Sequence, residues 1–539
     1  MPVRSSGGPK MKKKVLVMGG GLAGLATAYV LHEASRGELD ITVLERGHIL
    51  GGKASSKAHT REGRAYEVDH GLHVYFDYPN FDRILDEVGA LGGLRGNKHR
   101  MWVWRDGKLV AFQSYAVPSP FHWVGGIPVV GFTNALKLSR VMLAAAMVRP
   151  EKLSAAERKR LDEMSWDEFG AELGVPPELL QSELYRFFGR SGFHFPFPAS
   201  AFTILRATRL VAQSHAALLT RYIDGPLGDR MCKPLANALI DRGVQIKRFH
   251  EVHELVSDGD RLKGVEVEEH RFFPHKKEEQ SPYLSNYHTV LDEEAEEEAG
   301  DEPETSLWEA DFYVSALAPR DLVGVLDDAM RSDPYFGNVD KIQTQPSIAY
   351  QVYYDRLVTP DWFTDAAVGL PGAFSTVFDR ARIWTQPDGT GSILEWVSEL
   401  GEFKDRSDED VMADADAMAL KLFPKVAEAT VVRRFYHRGG HDTFTLTVPG
   451  SDAHRPPARS PLKNLVLAGD YVNNAHGVVC MEGTVVSAIE AANIILEQLG
   501  YPPRAVAPMS EPGGFVPAIR KVSQLLGRQR KWFGFAETD

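Results

Sequence analysis

Gly19, Gly21 and Gly24, in the run GGGLAG, are the first residues whose type and spacing point to chemistry. They follow an apolar run, KVLVM at residues 14–18, and open an Ala/Leu-rich stretch that reaches about Ser35. Gly19 permits a tight turn, Gly21 lets a pyrophosphate approach bare backbone, and Gly24 lets helix and strand close on each other. A helix starting there turns unpaired N–H groups and its positive dipole end toward phosphates. A second run, ITVLE, ends at Glu45, about 20 residues on, where a carboxylate accepts ribose hydroxyls. Strand, glycines, helix and acid thus stand in the order of a dinucleotide-binding βαβ unit. Glu45-Arg46-Gly47 and Gly51-Gly52-Lys53 follow. The paired glycines again admit backbone close to a cofactor, and Lys53 brings positive charge toward a phosphate. An NAD site does not need this extension, so it favours FAD. No second strand–GxGxxG–helix unit occurs, which argues against a dedicated NAD(P)H site.

Further candidates lie far along the chain. The strand LVLAGD places Gly469 and Asp470 at its end, where the carboxylate can accept cofactor hydroxyls. Met481 opens a last helix to about Leu499, whose N-terminal dipole suits negative charge on a reduced ring. Core packing is the alternative for Met481. His70, His73 and His476 have the type for acid–base work, but no Ser/His/Asp or metal-ligand constellation is evident.

The runs LERGHILGGKASS, GLHVYFDYPN, DGPLGDRMCKP and LAGDYVNNAHGVVCMEGTVVSA span both ends and the middle of the chain. They resemble the plant and cyanobacterial type of phytoene and ζ-carotene desaturases, a group within the flavin amine-oxidase superfamily. The resemblance implies that Ala23, Glu45, Arg46, Gly52 and Lys53 line the adenosine and pyrophosphate. It also implies that His73, Val74 and Tyr78 sit near the flavin. The backbone near Val252 would meet the adenine, and Gly469, Asp470 and Met481 would approach the ribityl chain and the ring. Arg230 matches an arginine that faces the substrate or quinone cavity, where a guanidinium stabilises a developing anion; an ion pair with Asp224 or Asp229 is its structural alternative. The implied reaction is hydride transfer from a C–H bond to flavin, with electrons leaving to a quinone or oxygen. The stretch YVNNAHGVVC after Asp470 lacks the lysine-rich run of that group, which bears on substrate rather than flavin.

The resemblance implies an α/β fold: a Rossmann-like FAD-binding domain of amine-oxidase type, a substrate-binding sheet domain and a helical, membrane-facing lobe. The FAD-binding parts are expected at 11–100, 228–273 with 307–335, and 456–500. The helical lobe is expected at 101–227 and the sheet at 336–455. The patternless stretch 274–306 reads as a disordered acidic insertion. Residues 501–539 read as a basic amphipathic tail, either an interfacial anchor or a helix packed on the body.

At 539 residues and 43 % apolar content, the chain has the size and make-up of a multi-lobed globular protein. Cys232 and Cys480 supply no disulfide framework, so a reducing, cytoplasmic setting is expected. No secretory signal is visible at Met1–Lys14. Phe121–Val148 is apolar but interrupted by Gly125, Gly126, Pro128, Lys137 and Arg140, which reads as a core or interfacial segment, not a membrane span. Nine acids in Asp292–Glu304 leave −3 of the formal net charge of −12 for the rest, and no basic stripe argues for nucleic acid. The expected partners are a hydrophobic isoprenoid and a membrane surface. The rivals are a squalene-pathway flavoenzyme, a carotenoid cis–trans isomerase, an amine oxidase and a non-catalytic prenyl-binding protein. For the amine oxidase, His476 and Gly477 stand where paired aromatics are usual.

Overall fold

The computed structural model describes residues 11–47, 49–61, 64–69, 74–96, 100–113, 121–182, 185, 197–212, 221–270, 304–364, 366–384, 391–399, 403, 405–438, 444–509 and 515–537. The N-terminal run forms β1 (Lys13–Met18), α1 (Leu22–Ser35) and β2 (Leu39–Glu45). Pro79 then stands at the first position of α2 (Pro79–Glu87), where its fixed φ suits a helix start and its missing N–H costs nothing. Three distant strands complete one parallel sheet: β3 (Gln245–Arg248), β4 (Phe312–Ser315) and β5 (Leu465–Leu467), in the order β3-β2-β1-β4-β5. The last helix, α3, runs from Met481 to Leu499.

Every residue of α1 from Leu22 to Leu31 is buried. The helix is small and apolar on all sides because it is wedged between the sheet and α3. Leu25, Val30 and Leu31 are fully buried, each contributing about 1.5–3 kcal/mol by burial. This packing holds the carboxyl ends of β1, β4 and β5 side by side, the edge at which open α/β sheets bind ligands.

A seven-stranded sheet forms the second layer, centred on Ser347–Tyr354 and Ile393–Glu399. Its Ile348, Tyr350 and Val352 pack with the helix Asp408–Leu422, and Ala349 and Val397 pack with the helical lobe. The helical lobe does not begin at residue 101. Arg100–Arg105 and Lys108–Gln113 form a hairpin that joins this sheet beside Ala367–Val368. Its two turn residues, Asp106 at φ +51° and Gly107 at φ +83°, are an Asp-Gly pair of the kind that closes a two-residue hairpin. The lobe starts after it, and its longest described helix is Phe132–Met147. That helix buries Leu138, Val141 and Met142 and leaves Phe132 and Leu136 exposed. Among the described residues no helix is long and apolar enough to cross a membrane.

Most of the stretch read as an acidic insertion lies outside the described residues. Its end does not: Glu304–Trp308 is a strand paired antiparallel with Arg261–Glu269, so residues 304–306 belong to a sheet. The basic tail is two short helices, Val516–Leu525 and Gln529–Phe533, separated at Gly527. Val516, Phe533 and Phe535 join the core of the helical lobe. Arg520 donates to the Met147 carbonyl (3.1 Å), and Arg149 pairs with Glu537 (2.6 Å). Phe515, Val522, Leu525 and Leu526 on the same tail remain exposed.

Candidate functional site

Two steric demands shape the turn after β1. Gly19 has φ +106°, a conformation that favours glycine. A Cβ at Gly24 would stand 1.9 Å from the Gly19 carbonyl oxygen, so only glycine lets α1 approach β1 this closely. Gly21 is different: a Cβ there would meet nothing nearer than 3.8 Å. The protein does not need a glycine at Gly21 for its own packing, and the space beside that backbone is free for a ligand. Glu45, at the end of β2, accepts the N–H of Gly20 (3.0 Å) and of Gly47 (2.8 Å). Burial raises its carboxyl above the ordinary range, and those two N–H groups pull the other way.

The second glycine pair closes on the first. Gly51 donates to the Gly20 carbonyl (2.9 Å), and Gly51 and Gly52 have φ +114° and +57°. Lys53 then reaches Asp470 (3.1 Å), which also accepts from the Thr445 hydroxyl (3.2 Å). Ala23 is buried in the first turn of α1, and Arg46 is half exposed beside Asp321 (3.7 Å). Gly469 follows β5, its backbone held by the Ser487 hydroxyl of α3 (3.0 and 2.9 Å). Met481 is the first residue of α3, next to Cys480. Tyr78 is buried against that cysteine, and burial raises both the phenol, well above its usual range, and the thiol, to about 11. One edge of the sheet therefore gathers Gly19, Gly21, Ala23, Gly24, Glu45, Gly52, Lys53, Gly469 and Asp470 from the turn after β1, the segment Glu45–Lys53 and the end of β5. Its bare backbone, free space at Gly21 and acid at the end of β2 fit an adenine dinucleotide.

Two further expected residues belong to segments beside this group, Val252 next to the end of β2 through Glu251 and Arg46 (4.0 Å), and Arg230 next to Gly52-Lys53. Val252 lies in a strand, His250–Asp258, that packs partly buried against the core. His73 lies outside the described residues, as does His70, and of Val74 only the backbone is described, paired with Tyr222. Arg230 occupies a π-helical turn, Gly228–Cys232, that sits on the Gly52-Lys53 segment through Gly228 N–H to Ser56 (2.6 Å). Its guanidinium is about half exposed and pairs with Asp224 at 3.1 Å, the alternative weighed from sequence.

Of the buried and part-buried polar residues at the site, sequence reading singles out His476, while Glu482, Arg206, Arg455, Asp452 and Asp162 escape it. Glu482 is fully buried and accepts the N–H groups of Asn80 and Phe81 at the start of α2. The one signal for it is Tyr78, a residue with no capping oxygen at that helix start. His476 faces Glu482 through Nδ1 (3.2 Å) and the Ala507 carbonyl through Nε2 (3.0 Å). Arg206 and Arg455 are buried and share Asp452 (3.4 and 3.3 Å). Burial lowers both guanidinium groups, Arg206 to about 10.

The Asp452 N–H donates to Asp162 (3.1 Å), which also accepts from the Ser200 hydroxyl (2.8 Å). Burial raises the Asp162 carboxyl to about 6 against the pull of Ser200. The folded value lies above the unfolded one, near 3.9, so the chain loses stability as pH rises from about 4 to about 6 and levels off above. The shift corresponds to about 2–3 kcal/mol. An Asp162→Asn protein is expected to lack this slope. Urea unfolding at both ends of the range should show the variant gaining that amount relative to its parent. Parallel profiles for the two proteins would refute it.

Comparison with known proteins places this arrangement. Residues 22–496 match the family described as flavin containing amine oxidoreductase. The chain is 27 % identical over 503 residues to 15-cis-phytoene desaturase of Synechococcus elongatus, covering 90 % of this chain and 96 % of that one. It is 25 % identical over 527 residues to the zeta-carotene desaturase of Capsicum annuum, covering 91 % and 82 %. Among solved structures, a triple mutant of putrescine oxidase superposes with a TM-score of 0.61 at 17 % identity, covering 91 % and 100 %. An oxidoreductase from Methanosarcina mazei superposes at 0.60 and 14 %, covering 88 % and 98 %. These structures share the fold.

Proposed function

Because the chain belongs to the flavin containing amine oxidoreductase family, we propose that it is an FAD-dependent desaturase of a long hydrophobic isoprenoid, a carotenoid precursor. The observation that carries this reading is the end-to-end likeness to phytoene and zeta-carotene desaturases, over nine-tenths of the chain. FAD, when bound, accepts the hydride and passes electrons to a quinone or oxygen. The chain supplies the rest. The Gly19–Gly24 turn and the α1 N-terminus take the pyrophosphate, Glu45 the ribose, and Asp470 the ribityl hydroxyls. Lys53 balances Asp470 and the phosphates. The N-terminus of α3 at Met481 offers its dipole to negative charge on the ring. Arg230, tethered by Asp224, is the cation assigned to the substrate or quinone side.

The basic tail and the helical lobe support a membrane surface as partner. Phe132, Leu136, Phe515, Val522, Leu525 and Leu526 are exposed large apolar side chains, and Lys521 and Arg528 stand among them. Basic and apolar residues on one helical tail suit an anionic interface. An amine substrate is less suited to this chain. His476 and Gly477 stand at the turn where amine oxidases usually carry paired aromatics, and Gly477 is packed under the buried guanidinium of Arg206.

The test is anaerobic mixing of the yellow holoprotein with phytoene in lipid vesicles. The flavin band is expected to bleach, and the product to be lighter by two hydrogens. A product of unchanged mass would establish isomerisation instead. Bleaching by polyamines and not by isoprenoids would overturn the reading.

A further inference from the structure

Arg455 belongs to none of the motifs, yet its whole guanidinium is committed to one turn. Nε donates to the Tyr471 carbonyl (3.2 Å), Nη1 to that of Gly477 (3.3 Å), and Nη2 to those of Val472 (2.9 Å) and Asp470 (3.5 Å). Asp452 completes the set through Nη1 (3.3 Å). Four carbonyl oxygens that converge on one point repel one another unless a cation with several donors stands between them. A guanidinium has five N–H donors in a fixed plane. An ammonium is a point charge and cannot bridge such a spread set of acceptors.

The turn so gathered, Asp470–Gly477, connects β5 to the start of α3. It carries the carboxylate that meets Lys53 and leads into Met481. A second guanidinium reaches it from the helical lobe. Arg206, on the helix Ala201–Ala212, lies directly on the Gly477 backbone: a Cβ there would stand 0.9 Å from Nη2. Its Nε is 3.4 Å from the His476 carbonyl.

We propose that Arg455 is a positioning residue for the cofactor, fixing the Asp470–Gly477 turn so that Asp470 and the N-terminus of α3 face the flavin. Arg206 ties the helical lobe to the same turn. The inference rests on the reading that this edge of the sheet holds FAD. It is separable from that reading, because the turn must be held in shape for the ring whatever substrate is oxidised.

The experiment uses the full chain, with Arg455→Lys and Arg455→Met compared with the parent. FAD affinity is measured by titrating the stripped protein, and the midpoint potential and visible spectrum of the bound flavin are recorded. Arg455→Met is expected to weaken FAD by about ten- to a hundredfold, the loss that corresponds to a misplaced charged hydrogen bond to Asp470. Arg455→Lys keeps the charge and loses the fork. It is expected to recover part of the affinity while its flavin shows a displaced midpoint potential and altered band shape. Should Arg455→Met fail to fold, the lysine variant decides alone. An Arg455→Lys protein with parental affinity, potential and spectrum overturns the inference. A parent protein that takes up no FAD overturns the functional reading instead.

Discussion

A Gly24→Ala protein is expected to purify without flavin, and a Gly21→Ala protein is expected to do so too, for a different reason. In the first, the new Cβ would stand 1.9 Å from the Gly19 carbonyl oxygen and 3.2 Å from Val17. Both neighbours belong to the strand end and turn that form the phosphate cradle, so α1 must retreat or the turn must open. Overpacking of this kind costs about 1–3 kcal/mol in the folded chain, and it moves the N–H groups away from the pyrophosphate. In the second, the Cβ meets no protein atom within 3.8 Å. Folding is undisturbed, and the methyl stands only in the space a pyrophosphate would use. The pair is read by flavin content per chain and by the melting temperature of the stripped proteins, since bound ligand itself raises stability. Loss of flavin in both, with loss of stability in Gly24→Ala alone, is the expected pattern. Full flavin content in Gly21→Ala would mean that the cofactor does not lie on this backbone.

The contrast between those glycines also marks how far sequence reading carries. The βαβ unit was legible because its signal is local. An apolar run, glycines at fixed spacing and an acid about 20 residues on specify both the fold and the ligand. The ends of β2 and of α3 coincide with the residues expected from the sequence, Glu45 and Leu499. The hairpin at Asp106-Gly107 is equally local, but it stands at the head of a long aromatic and apolar stretch whose composition reads as helical. Arg455 was not legible at all. Its partners are backbone carbonyls, which carry no residue identity, and the turn they form depends on contacts with β5 and α3. Asp162 and Asp452 meet 290 residues apart, joined by a fold that no window of sequence describes. Arg230 is an intermediate case: sequence offers either a cavity-facing cation or an ion pair with Asp224 or Asp229, and the structure shows the half-exposed guanidinium paired with Asp224.

An alanine at Glu482 is expected to cost about 3–5 kcal/mol, the range for removing one member of a buried charged set. The carboxylate is fully buried and caps a helix start 402 residues away in sequence. It accepts Asn80 N–H (3.2 Å), Asn80 Nδ2 (2.8 Å) and Phe81 N–H (2.9 Å), while His476 Nδ1 stands 3.2 Å away. Asn80 in turn reads both backbone groups of Ala507, at 2.9 and 2.8 Å. His476 meets the same Ala507 carbonyl at 3.0 Å. Glu482 therefore fastens α2, the turn before α3 and the strap Tyr501–Met509 at one point. Without it, orphaned donors at the N-terminus of α2 face a cavity that water enters only by disrupting the packing of Tyr78 and Phe81. Glu482→Gln retains one oxygen for those donors but turns an amide toward the others and removes the charge that the helix dipole favours. Its loss should be about half as large. Urea unfolding of the stripped proteins measures both, and limited proteolysis should cut the 501–509 strap faster in the alanine variant. A Glu482→Ala protein within about 1 kcal/mol of its parent, with the strap equally protected, would show that water can replace the carboxylate, and that α2 is held by its apolar face alone.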